Sequence, residues 1–225
     1  MSELQTDESF QIQTGTDDDI RMMLLEEAVR QYRAERTIRV ITPRREGVPL
    51  SAAALSRLMQ GELNPLRNGI KTLTYGKTQF RDGDLVMVTA NDAVRGCFNG
   101  DIAVFRIHEA ECSPRYDVLL QNGSCASWTT EELHEKRLPI ELAYAMTVHK
   151  SQGSGYSTVL IPLSTEQMSN MLNRNLFYTA ISRAKESVIL YASGNAVEQA
   201  LQTIPAPRCS NLAKKARKLM YTKQQ

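Results

Sequence analysis

The densest group of reactive side chains is Thr147-Val148-His149-Lys150-Ser151-Gln152-Gly153, where hydroxyl, imidazole, ammonium and amide donors fall within seven residues. The segment follows an apolar run from Leu142 to Met146 that reads as a strand. The loop should therefore leave the carboxyl end of a sheet strand, where open α/β sheets bind ligands. Gly153 and Gly155 remove the Cβ that would keep a phosphate or a sugar from the backbone. The plain alternative is an ordinary strand-to-helix loop; the density of donors and a partner segment downstream favour a binding loop. In that partner, 170–185, Leu172, Leu176, Phe177, Ala180, Ile181 and Ala184 fill half of a helical wheel, while Asn175, Tyr178 and Ser182 face away. Arg183 lies at the edge of the apolar half, where a guanidinium leaves the packed face while its stem stays buried. Its planar fork suits the γ-phosphate oxygens of a nucleotide held by another domain, the role of an arginine finger. It suits equally a cation that stabilises the carboxyl end of a helix dipole. Upstream, the β-branched run Ile38 to Thr42 is stopped by Pro43 and delivers Arg44 and Arg45 to a loop, a place where function can sit.

Taken together, AMTVHKSQGSGY and LFYTAISRAKESV resemble the fifth and sixth motifs of superfamily 1 DNA helicases in their RecD-like form, the exodeoxyribonuclease V alpha-subunit type. VITPRREG followed by LNP resembles the strand and arginine loop that begin the second motor domain of that branch, and FRDGDLVMVTAND with GCFNGD resembles the start of its inserted SH3-like barrel. The resemblance covers about Asp17 to Ile204. It implies an α/β fold: a parallel-sheet, RecA-like second motor domain with a small SH3-like β-barrel inserted. It also implies that Arg183 is the arginine finger and that Arg44 or Arg45 is a second contact to the γ-phosphate. The choice between those two stays open, because the loop up to Leu55 is one residue longer than the family pattern. By the same resemblance Thr147 and His149 lie toward single-stranded DNA, and Gln152 and Gly153 link the DNA groove to the nucleotide cleft. Gly155 stands where the family usually has an acidic residue near the nucleotide sugar, Ala103 where the barrel motif usually has glycine, and Ser56 where an asparagine often follows leucine. A DNA groove would take backbone contacts from Lys150 and neighbouring hydroxyls such as Ser151, with stacking from Tyr156 or Trp128, although Trp128 also reads as barrel core.

The elements that must position these residues alternate. The opening through Thr16 has no apolar period and reads as flexible. Asp17, Asp18 and Asp19 supply helix-start chemistry for a helix to about Arg33, and Ala52 to Met59 forms a second, ended by Leu63-Asn64-Pro65. From Phe80 come short apolar runs, Leu85 to Thr89, Ile102 to Ile107, Tyr116 to Leu120 and Ala126 to Trp128. Asp82-Gly83, Asn99-Gly100 and Asn122-Gly123 fall between elements and suit tight turns. This predicts a small barrel at 79–139, inserted between two parts of an α/β domain, 17–78 and 140–206. The second part resumes with strands Leu142 to Met146, Val159 to Pro162 and Val188 to Tyr191 and a helix from about Ser169 to Ala184.

Composition sets limits. The 225 residues are 42% hydrophobic and 23% charged with a net charge of +2, values of an ordinary globular protein rather than a disordered or fibrous one. The longest apolar runs are far short of the ~20 residues that cross a bilayer, and MSELQTDESF lacks the features of a secretory signal, so a cytoplasmic chain is expected. Cys97, Cys112, Cys125 and Cys209 form no C-x-x-C pair, and His108, His134 and His149 do not complete a zinc site with them; no structural metal is expected. Residues 207–225 form a basic tail with Lys214, Lys215, Arg217 and Lys218, either a phosphate contact or a solvated helix face.

An ATP-driven motor needs a G-x-x-x-x-G-K-[ST] loop and an acidic strand end to hold magnesium. Gly76-Lys77-Thr78 imitates the end of the loop, but Lys71 stands where its first glycine must be, and Asp92 and Glu109 belong to the predicted barrel. ATP and Mg2+ are thus expected only with a phosphate-loop first motor domain, supplied by another polypeptide or lost by truncation, and the chain alone is expected to be inactive. Two other readings stand beside this half-motor: a non-enzymatic module that binds nucleic acid or protein, and a stable domain without separate biology.

Overall fold

A computed structural model describes residues 9–109, 113–135, 138–168 and 170–204, with side chains described outside 134–135. The chain opens with strand β1 (Phe10–Thr14), which pairs in parallel with the last strand of the fold. This corrects the expectation of a flexible start through Thr16: Phe10 and Ile12 alternate with polar residues and pack on the core, a period-2 pattern too short to stand out in sequence. Residues 1–8 and the basic tail lie outside the described residues.

Helix α1 (Asp17–Arg33) starts at a capping box: the Thr16 side chain accepts from the Asp19 amide at 3.2 Å, and the Asp19 carboxylate accepts from the Thr16 amide at 3.0 Å. Three aspartates in its first turn and Arg30 and Arg33 in its last complement the dipole, and Ile20, Leu24 and Ala28 bury its inner face. Strand β2 (Ile38–Thr42) is buried throughout. Helix α2 (Ala52–Leu63) begins at Ser51 and runs four residues past the expected Met59 before Asn64 caps it and Pro65 follows.

A hairpin follows, β3 (Thr72–Tyr75) and β4 (Thr78–Arg81), with Gly76 at φ +61° in its turn. The sequence that imitates a phosphate loop is this hairpin turn. Next come β5 (Leu85–Val88), β6 (Ile102–His108), β7 (Arg115–Leu120), β8 (Cys125–Thr129), the short helix α3 (Thr130–Glu135) and β9 (Ile140–Leu142). They form an antiparallel five-stranded sheet in the order β8-β7-β6-β5-β9. Gly123 sits at φ +85° in the tight turn between β7 and β8, as the Asn-Gly pair predicts. Trp128 is buried, with the Arg95 guanidinium 5.2 Å from its ring centroid, so its core reading is the one the structure bears out.

The chain returns to the first sheet with β10 (Ala145–Thr147), β11 (Tyr156–Ser164), α4 (Thr165–Met168), α5 (Arg174–Ile181), β12 (Ala184–Ser193) and α6 (Ala196–Gln202). That sheet is parallel, in the order β1-β12-β11-β2-β10. β2 and β11 are buried almost end to end, as parallel strands covered on both faces are. The α/β class is therefore as the sequence implies, but two elements differ. The single expected strand Leu142 to Met146 is two: β9 pairs with β5 in the antiparallel sheet and β10 with β2 in the parallel one, with Ala143 and Tyr144 between. The expected helix from Ser169 to Ala184 is also divided. Asn173 caps α5 by accepting from the Leu176 amide at 3.0 Å, and Ala184 already opens β12, so Leu172 and Ala184 join the core from flanking segments.

The two sheets meet at a buried carboxylate. Asp84, fully buried at the entry to β5, accepts from Gln60 at 2.5 Å, Asn64 at 2.8 Å, Tyr144 at 3.0 Å and the Arg81 amide at 2.7 Å. These donors come from α2, the 143–144 link and the hairpin. Burial and the Asp84 charge push the Tyr144 phenol well above its ordinary 10.0, so it stays a donor. No helix among the described residues is long and apolar enough to cross a membrane.

Candidate functional site

Register shows what the seven-residue loop does. Thr147 pairs with Thr42 at the carboxyl ends of β10 and β2, whereas Thr158, near the start of β11, pairs with Ile38 at the start of β2. Residues 148–155 therefore run from the carboxyl edge of the sheet back to its amino edge, a depth of roughly 16 Å for five strand residues. The sequence placed the whole loop at the carboxyl edge; only its first half is there.

At the carboxyl edge the side chains form a polar rim. Thr147 is buried, and its hydroxyl and carbonyl oxygens both accept from the Lys150 amide, at 3.4 and 3.0 Å. Ser151 is fully buried and donates to the Val148 carbonyl at 2.8 Å. These two buried hydroxyls help to fold the turn, whereas the side chain that faces solvent there is that of His149. His149 is exposed, and the Lys150 ammonium bonds to Glu141 of β9. Arg45 approaches the other oxygen of Glu141 at 3.9 Å and is largely exposed. Arg44 turns the other way and donates to the Gln167 carbonyl at 3.2 Å. Gln167 also accepts from the Leu50 amide at 3.2 Å and bonds to Asp17, which in turn accepts from Ser164 at 2.8 Å and from Ser193. The arginine loop is thus pinned to the ends of β11 and β12.

At the amino edge lie Gly153, Ser154, Gly155 and Arg183. Gly153 adopts φ +89°, a backbone that L side chains rarely take. Gly155 needs its missing Cβ for a different reason: one built there would stand 2.9 Å from Cε of Lys185, whose stem lies across the glycine. Arg183 sits in the turn between α5 and β12, with Nε 3.3 Å from the Thr179 carbonyl, Nη1 3.3 Å from the Ser154 carbonyl and Nη2 3.3 Å from the Ser182 hydroxyl. All three acceptors are neutral and all three bonds are long for a charged donor. Its carbonyl accepts from the Tyr156 amide at 2.9 Å, which docks the glycine loop onto the arginine turn. Gln152 is exposed beside them. Tyr156 is corrected as a stacking surface: it is buried, its hydroxyl lies 3.5 Å from the Met146 sulfur, and the Arg39 guanidinium covers its ring at 5.1 Å. On α5, Tyr178 does face solvent, as its place on the wheel predicts.

Residues 142–191, which hold both motifs, match the UvrD-like helicase C-terminal domain. The ATP-dependent RecD2 DNA helicase of Deinococcus radiodurans is 34% identical over 169 residues, 75% of this chain and 22% of that protein. The RecD subunit of the RecBCD enzyme of Mycolicibacterium smegmatis is 35% identical over 135 residues, 60% of this chain and 22% of the subunit. The chain carries a RecD-like superfamily 1 helicase C-terminal region. A likeness in fold accompanies it: a Bacteroides Pif1 helicase solved with ADP-AlF3 and single-stranded DNA superposes with a TM-score of 0.51 at 17% identity, covering 92% of this chain and 51% of that one. The RecD-like region thus spans about a fifth of the two relatives' length and about half of the Pif1 chain.

Sequence reasoning missed Glu141, Gln167 and Lys185 in this RecD-like region. Glu141 alone left a signal, a charge between Ile140 and Leu142 that had to point away from their buried face.

Proposed function

We propose that this chain is the second motor half of an ATP-dependent DNA helicase, and that Arg183 is its arginine finger. The observation that carries the reading is the state of that guanidinium: a full charge held beside a glycine loop by three long bonds to neutral acceptors. Such a group exchanges readily to phosphate oxygens, which bind a guanidinium in charge-assisted pairs. Gln152 and Gly153 adjoin it as nucleotide-side contacts, and the relatives' names supply the substrate class, DNA. Exposed His149 and the Lys150 ammonium face a strand of single-stranded DNA from the other end of the same loop. Of the two upstream arginines, Arg45 is the one free to meet a phosphate, since Arg44 is committed to the Gln167 carbonyl; Arg45 stands with Lys150 at the carboxyl edge, the opposite end of the loop from Arg183. The antiparallel sheet is read as the SH3-like insert.

ATP and magnesium enter only with a partner domain. The arginines fit a phosphate group, but no three His, Cys, Asp or Glu side chains gather to hold a metal among the described residues. A phosphate-loop domain outside these residues would hold the nucleotide and its magnesium, and this chain would supply charge to the transferred phosphoryl.

DNA-stimulated ATP hydrolysis tests the reading, measured with the chain alone and after adding a phosphate-loop first-domain protein, each with wild type and Arg183→Ala. Expected are no hydrolysis alone, hydrolysis by the pair, and loss of it with Arg183→Ala. Hydrolysis by the chain alone would overturn the half-site, and a pair indifferent to Arg183→Ala would overturn the finger. The second reading, a non-enzymatic binding module, is favoured by Gly155, where Lys185 lies in place of a side chain that could reach a nucleotide sugar. It expects DNA or protein binding with no hydrolysis by any pair.

A further inference from the structure

Two cations from the carboxyl-end rim converge on one carboxylate. Glu141 bonds to the Lys150 ammonium through one oxygen and faces Arg45 Nη2 at 3.9 Å through the other. The three residues come from different elements: Arg45 from the loop after β2, Lys150 from the turn after β10, and Glu141 from β9, the edge strand of the antiparallel sheet, opposite Met87. Their side chains keep 61%, 28% and 27% of their exposure, so the group is wet enough to open and a competing anion can reach it.

A carboxylate placed between two cations at the ends of neighbouring parallel strands occupies the position an anionic ligand would take. It also suppresses the repulsion that would otherwise drive those cations apart. Part-exposed ion pairs contribute little net stability, so a phosphate that accepts from both cations can displace it. The geometry points to Glu141 as a built-in competitor for phosphate: it clasps Arg45 and Lys150 together in the empty state and gives way when a phosphate group arrives. Because β9 belongs to the inserted sheet, opening the clasp releases one tie between that sheet and the parallel one. The shared chemistry is phosphate, from a DNA backbone or from a nucleotide. The inference rests on the proposed function for the choice of those two sources.

The test uses the full chain. Binding of a short labelled oligothymidylate and of a fluorescent ATP analogue is measured for wild type, Glu141→Gln, Lys150→Ala and the double variant. Glu109→Gln is the control, since it removes the same charge from another exposed ion pair of the insert, with Lys71. Glu141→Gln should tighten oligothymidylate binding about 2–5-fold, the scale of breaking a part-exposed pair. Glu109→Gln should not match it, and the gain should vanish when Lys150→Ala is added. A Lys150-dependent gain confined to the ATP analogue would keep the clasp, assign it to nucleotide phosphate and count against the DNA contact. Equal effects of Glu141→Gln and Glu109→Gln, with Lys150→Ala still weakening DNA binding, would overturn the clasp and leave the DNA reading standing. No response of either ligand to any variant would overturn both.

Discussion

Two glycines of one loop, Gly153 and Gly155, do different work. Gly153 is required by its backbone, at φ +89°, while Gly155 is required by space, because Lys185 crosses it. Gly153→Ala should therefore cost about 1–2 kcal/mol, the penalty of a left-handed L residue. At this chain length that lowers the melting temperature by roughly 2–8 °C. Gly155→Ala should cost less, since the neighbour that must move is the far end of a flexible lysine. Thermal melts of the two variants decide it; equal losses would contradict the distinction. By residue type alone both read as positions without a Cβ, and the family resemblance adds only their places near the nucleotide cleft. The backbone angle that separates them depends on the turn that Thr147 and Ser151 fold, and those hydroxyls look like ligand donors until their burial is known. The same ambiguity hid Tyr156, an aromatic residue beside the loop whose ring belongs to the core. Of Arg183 the sequence showed the place at the edge of the apolar face, while the helix expected to run through it to Ala184 ends at Ile181 and leaves it in a turn.

At the scale of elements, the two sheets are joined through Asp84. Its buried carboxylate satisfies donors from α2, the hairpin and Tyr144, so removing it strands several buried groups at once. Asp84→Ala should destabilise the fold by roughly 3 kcal/mol or more, and Asp84→Asn by less, because the amide keeps one acceptor. Denaturant unfolding followed by Trp128 fluorescence, which reports the inserted sheet, checks this; a loss within about 0.5 kcal/mol, as at an ordinary surface position, would contradict the joint. The main strands and α1 were readable from apolar runs and from cap residues. The boundary between the sheets was not. Residues 140–147 form one apolar run in sequence, and only pairing with β5 on one side and β2 on the other divides it. Likewise the helical wheel through Leu172 and Ala184 is continuous on paper, while the Asn173 cap and the entry into β12 cut it at both ends.

For the molecule as a whole, the loop from Thr147 to Tyr156 spans the sheet from edge to edge, so one segment connects the Lys150 group to the Arg183 group. A motor has to link its track to its fuel, and this loop is a short physical route between the two sites proposed here. The proposed function depends on Arg183 meeting a nucleotide held by another domain. The direct measurement is single-turnover ATP hydrolysis by the chain paired with a phosphate-loop first domain on single-stranded DNA, with nucleotide affinity measured in parallel. Arg183→Ala should slow hydrolysis by about 10³-fold or more, the lower range for an arginine finger, while ATP affinity changes only a few-fold. An unchanged hydrolysis rate, or a loss confined to ATP affinity, would contradict the account.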